Sequence, residues 1–221
     1  LALLDFNFET IPLHARVAYP SWDFQAVPFR EVDHNAHFYT HAVKNDAKKI
    51  GTRTKNLKVG VNGESVLVSA SNLIVVQRHF ARFVARTIKD AGIADPVIIA
   101  IPNRDALRTI ADFNTARLAA LAAEAFGSGA QPYAGLRFKK LIPKTEKRRL
   151  RPDDLAPNME MVTDLPKGTL VLLDDVYTQG HHVRASCKVL DCKPVLVCVA
   201  ARTENEPLPN MTKPRALEHT V

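Results

Sequence analysis

The run Leu170-Val171-Leu172-Leu173 passes directly into Asp174 and Asp175, and it restricts the fold more than any other stretch of the chain. Four apolar residues in a row, with no polar alternation, belong to a strand buried on both faces, which is how strands of parallel sheets read. Val176-Tyr177-Thr178-Gln179-Gly180 then forms a polar turn around one glycine, and a helical pattern follows over residues 182–190. Two further apolar runs have the same character: residues 96–102, bounded by prolines, and residues 194–200. Buried strands that alternate with helical segments give an α/β fold with a mostly parallel sheet flanked by helices. In such sheets ligands bind at the carboxyl ends of the strands. Both acids fall at that edge, and the helix that starts beyond them offers free backbone N–H groups to a phosphate. Two carboxylates beside a phosphate cradle suit a phosphorylated sugar held at both ends.

The rest of the chain is arranged around this core. Residues 57–61 and 65–68 flank Asn62-Gly63-Glu64, a strong hairpin signal. Residues 1–76 therefore read as an N-terminal extension containing a β-hairpin, placed as a hood or an interface. From Gln77 onward Phe80, Phe83, Val84 and Ile88 share one helical face, and Gly92 is a natural stop. Asn103-Arg104-Asp105 is a loop after the 96–102 strand, and an alanine-rich helix is expected from about 109 to 126, closed by Gly127-Ser128-Gly129. Residues 136–142 suggest a short strand. Residues 77–202 form the core of this reading, and the tail over 203–221, with Pro207, Pro209 and Pro214, is expected to be irregular.

Charge separates one segment from the others. Between Gly135 and Arg151 lie Arg137, Lys139, Lys140, Lys144, Lys147, Arg148, Arg149 and Arg151 against Glu146 alone, which accounts for the whole net charge of +7. A local excess of this kind points to one anionic ligand or surface. It predicts a flexible basic loop over 135–157, suited to closing on a phosphate or, as the alternative, to tracking nucleic acid. Cys187, Cys192 and Cys198 match no zinc spacing and sit in apolar context, so reduced thiols and a cytoplasmic location are expected. No stretch has the apolar length of a membrane span. His34, His37 and His41, with Asp33 beside them, fall on one helical face; a packed or solvated histidine face is the reading preferred to a metal site.

The segment Asp174-Asp175-Val176-Tyr177-Thr178-Gln179-Gly180-His181 resembles the fingerprint of type I phosphoribosyltransferases. Ile99-Ala100-Ile101-Pro102-Asn103-Arg104 resembles that family's pyrophosphate loop, and Ala111-Asp112-Phe113-Asn114-Thr115-Ala116 is similar to a segment of its competence protein F branch. The likeness spans about residues 96–201. It implies a type I phosphoribosyltransferase-like core that binds 5-phosphoribosyl 1-pyrophosphate with Mg²⁺ and transfers the phosphoribosyl group to a nitrogenous acceptor, releasing pyrophosphate.

By the same resemblance Asp174 and Asp175 accept from the ribose hydroxyls and hold magnesium indirectly, through bound water or ligand. Thr178, Gln179, Gly180, His181 and His182 hold the 5-phosphate. Arg104 and Asn103, with Lys144, Lys147, Arg148 and Arg149 of the basic loop, meet the pyrophosphate. The phosphate loop departs from the family pattern at Gln179, His181 and His182, and His182 is expected to replace a hydroxyl contact. The alternative is a non-catalytic module on the same fold that senses a phosphoribosyl group or nucleotide, or binds nucleic acid through residues 135–151. A homodimer is compatible with either reading, and a membrane partner with neither.

Overall fold

A computed structural model describes residues 10–58, 65–103, 106–107, 113–141 and 151–220. Its centre is a six-stranded sheet. In chain order the strands are β1 (Thr10–Pro20), β4 (Pro96–Ala100), β5 (Gln131–Tyr133), β8 (Thr169–Tyr177), β9 (Leu196–Glu204) and β10 (Arg215–Thr220). Across the sheet they run β10-β1-β9-β8-β4-β5, and only β10 is antiparallel to its neighbour. The fold is thus α/β with a mostly parallel sheet. Among the described residues no helix is long and apolar enough to cross a membrane.

Helices cover both faces. Helices α1 (Glu31–Val43), α3 (Ile74–Asp90) and α4 (Asn114–Phe126) pack on one side, where Ile98, Ala100, Val171, Leu173, Cys198 and Ala200 meet Phe38, Val76, Phe80, Val84 and Leu118. Helix α6 (His181–Leu190) lies on the other, where Val97, Ile99, Leu172, Val197 and Val199 meet Val183 and Leu190. The strands contribute alternate residues to the two cores, because successive side chains leave a strand on opposite sides. This double burial is the reason these segments read as unbroken apolar runs.

Smaller elements complete the chain. Helix α2 (Ala47–Ile50) follows α1, and β2 (Lys55–Lys58) pairs antiparallel with β3 (Ser65–Val68), with the Asn-Gly turn outside the described residues. A second ribbon joins β6 (Leu136–Phe138) to β7 (Met159–Met161), preceded by the short helix α5 (Pro152–Leu155) and a 3₁₀ turn at Ala156–Asn158.

Three expectations need correction. The tail is not irregular: β9 continues to Glu204, and Arg215–Thr220 forms the edge strand beside β1. Its prolines lie in the connection, where Met211 is fully buried and its carbonyl oxygen accepts from the Ala18 N–H at 2.7 Å. Residues 10–20 belong to the main sheet rather than to a separate extension. The alternation Ile11, Leu13, Ala15, Val17 supplies buried positions, while His14 and Arg16 between them masked the strand in the sequence. The end of the basic segment is ordered as α5 and the 3₁₀ turn, because Pro152 suits the first turn of a helix and Asp154 accepts from the Arg151 N–H at 2.9 Å.

Candidate functional site

The sheet order reverses between β4 and β8. From β4 the chain moves outward to β5, whereas from β8 it moves the other way to β9. A crevice forms at such a switch point because the two connections leave in opposite directions. Asp174 and Asp175 lie on β8, three and two residues before its last residue, with Asp174 opposite Val199 of β9. Ile101 extends the pairing past the end of β4 by donating its N–H to Leu173 at 3.0 Å, which sets Pro102 and Asn103 beside the two acids.

The carboxylates differ in surroundings. Asp174 accepts from the Asp175 N–H at 2.7 Å, a local bond that fixes its rotamer. Asp175 faces Lys44, whose Nζ stands 3.7 Å from Oδ2. The Asp175 side chain is 14 % exposed and that of Lys44 37 %. Adjacent strand residues project to opposite sides, so the pair can be approached together only from the strand end. Asn103 adds a polar group there: its Oδ1 is buried without a hydrogen-bond partner among the described residues. A buried amide oxygen without a partner is costly, and it offers an acceptor at the mouth of the crevice.

The turn after β8 is built for the helix that follows. Gly180 adopts φ 72°, in the left-handed region, and caps α6 without contributing a side-chain bond. Its carbonyl accepts from the Arg184 N–H at 3.0 Å, while Thr178 and Gln179 are exposed. The Thr178 hydroxyl lies 3.1 Å from that of Thr203 on β9, so a neighbouring strand orients it. His181 and His182 occupy the first turn of α6. The His182 ring packs edge to face on Phe138 at 5.9 Å between centroids. That contact ties the first turn of α6 to the end of β6, the point from which the basic segment departs.

Of that segment, Lys144, Lys147, Arg148 and Arg149 lie outside the described residues, as do Arg104 and the Ala111-Asp112 part of the third motif. The described basic residues are partly engaged: Arg137 Nε meets Glu160 at 2.6 Å, and Lys139 Nζ donates to the Pro157 carbonyl at 3.0 Å. Asn114 and Thr115 serve as braces. Thr115 is fully buried and donates its hydroxyl to the Ile101 carbonyl at 2.5 Å, returning the start of α4 to the end of β4.

The histidines of α1 form an aromatic face. His37 stacks on Tyr19 at 5.4 Å and lies 4.4 Å from His41, while Phe29 meets His34 at 5.4 Å. Asp33 is turned away and held by a two-pronged bond from Arg30 at 2.8 and 2.9 Å. Burial lowers His37 to about 4, with the neighbouring cations adding to the effect. Among the described residues no group of three or more histidine, cysteine or acidic side chains is arranged to hold a metal. The cysteines there are free thiols, and burial raises Cys187 to about 12.

Lys44 was invisible in the sequence, since it lies 131 positions from Asp175 and in no motif. No model of a known protein family matches the chain, and no curated protein matches it either.

Proposed function

We propose that the chain is a type I phosphoribosyltransferase-like protein that binds 5-phosphoribosyl 1-pyrophosphate and transfers the phosphoribosyl group to a nitrogenous acceptor. The observation that carries this reading is the position of Asp174 and Asp175 at the switch point of the sheet, one short turn before the first turn of α6. Ionised carboxylates are pure acceptors, suited to the two hydroxyls of a ribose. The N–H groups of α6's first turn and the Thr178 hydroxyl suit the 5-phosphate. The 3.1 Å contact with Thr203 already orients that hydroxyl.

The reaction displaces pyrophosphate from the anomeric carbon through a transition state with oxocarbenium character, as in glycosyl transfer generally. In this reading the chain forms no covalent bond to the sugar. Its carboxylates fix the ring, its turn fixes the phosphate, and orientation with fixed charges supplies the rate enhancement. Magnesium fits the donor set, because Mg²⁺ is commonly held by one or two carboxylates with water and phosphate oxygens completing its shell. Asp174 and Asp175 would hold it indirectly, and when bound it neutralises charge on the leaving pyrophosphate. The reduced thiols suit a cytoplasmic setting.

The test is pyrophosphate release from the donor with Mg²⁺ across a panel of nitrogenous acceptors. Acceptor-dependent release is expected. It should fall at least about 100-fold in the Asp174→Asn, Asp175→Asn double variant, since the positioning of the sugar is lost. Donor binding with no turnover on any acceptor would favour a sensing module. The loop favours that second reading to one degree: Gln179, His181 and His182 stand where the family pattern has small or hydroxyl residues, and His182 is packed on Phe138. Under it, affinity for DNA or RNA through residues 135–151 would fall steeply with salt.

A further inference from the structure

We propose that Lys44 is a ligand-binding residue of this site, supplied by the N-terminal half of the chain, which takes an anionic oxygen of the phosphorylated sugar next to Asp175. The inference rests on the reading above for the identity of the ligand and on three independent observations for the residue. The first is distance. At 3.7 Å the Lys44–Asp175 pair is an ion pair but too long for a charge-assisted hydrogen bond, which lies near 2.7–2.9 Å. The ammonium therefore faces the carboxylate without spending a donor well on it, and its side chain is 37 % exposed toward solvent.

The second observation is that the turn carrying Lys44 is braced. The carbonyl of Val43, the preceding residue, accepts from Gln77 Nε2 of α3 at 3.2 Å and from Asn114 Nδ2 of α4 at 3.1 Å. Gln77 is 1 % exposed. The following residue, Asn45, holds φ 58°, and Asp46 caps α2 by accepting from the Lys49 N–H at 3.1 Å while meeting His41 Nδ1 at 3.2 Å. The Gln77 and Asn114 bonds satisfy a carbonyl that the end of α1 leaves without a partner inside the helix, and they fix the backbone there. They hold the root of the side chain against the crevice from the side of α1.

The third is charge. Two adjacent carboxylates repel an anionic ligand, and Lys44 brings a positive charge to within 3.7 Å of Asp175. A ligand carrying both hydroxyls and phosphate oxygens places donors toward Asp175 and acceptors toward Lys44. Binding then exchanges a loose ion pair for two directed contacts.

The experiment measures the affinity of the whole chain for 5-phosphoribosyl 1-pyrophosphate with Mg²⁺, and for inorganic pyrophosphate, in the wild type, Lys44→Met and Lys44→Arg. Thermal melting of each variant controls for folding. The expected result is a loss of about tenfold or more in Lys44→Met, the scale of one hydrogen bond to a charged group, with binding largely restored in Lys44→Arg. The difference should shrink as salt is raised, a response that a purely structural lysine would not give. Unchanged affinity in Lys44→Met, with the wild type binding the donor, overturns the role of Lys44 and leaves the phosphoribosyl reading standing. Wild-type binding of pyrophosphate but not of the donor, weakened by Lys44→Met, supports Lys44 and overturns the phosphoribosyl reading. Binding of neither ligand by the wild type overturns both.

Discussion

Asp175 and Gly180 show how much a single residue decides at this edge. Asp175 follows a buried run, and its carboxylate has both a cation and solvent within reach; two positions earlier, Leu173 is fully buried. Gly180 makes the turn between the acids and α6 short enough for both to face one ligand. Its φ of 72° is costly for any residue with a Cβ. Gly180→Ala should therefore destabilise the chain by about 1–2 kcal/mol, and it should weaken donor affinity beyond that by shifting the first turn of α6. Urea midpoints with a constant m value would report the first effect and titration calorimetry the second. The acids and the glycine were legible in the sequence because they are contiguous. Lys44 was not, because an ion pair across the fold leaves no local pattern.

At the scale of elements, the candidate site is an assembly of strand ends held by polar braces. The start of α4 illustrates this. Thr115 binds the Ile101 carbonyl and Asn114 the Val43 carbonyl, so one helical turn locks the end of β4 and the end of α1 together. Asn114→Ala should cost about 1–2 kcal/mol, the worth of a partly buried hydrogen bond. It should also lower donor affinity through the loosened Lys44 turn. A drop in the denaturation midpoint with unchanged affinity would mean that the brace serves stability alone. The three buried runs foretold β4, β8 and β9, since a strand covered on both faces must be apolar throughout. Strand β10 was missed: an edge strand pairs through its backbone and needs few apolar side chains. Strand β1 was missed because Arg16 lies within it, held inside by its bond to the Thr212 carbonyl at 2.7 Å and by the face of the Tyr39 ring at 5.6 Å.

Across the whole molecule, the N-terminal half is joined to the core through a buried polar layer, and that layer makes the fold acid-sensitive. His79 of α3 lies 3.2 Å from the Tyr39 hydroxyl. Burial, with Arg16 and Arg82 nearby, lowers it to about 4 from 6.5. His37 is lowered to about 4 by burial and by His41 and Arg53. Both are neutral in the folded chain and protonate more readily when it unfolds. Their contribution is complete above pH 6.5 and is lost as pH falls toward about 4. For His79, which is 7 % exposed, the loss is on the order of 3 kcal/mol. Stability measured by urea unfolding should decline across that window, and His79→Gln should flatten the decline. The sequence by itself determined the class of fold, the three inner strands and the acidic edge with its turn, because hydrophobic runs and contiguous motifs are local properties of the chain. Only the tertiary structure decided that residues 10–20 and the tail complete one sheet, that Asn103 and Lys44 border the acids, and that the histidine face is packed. Those facts depend on residues far apart in sequence being brought together by burial, hydrogen bonding and charge.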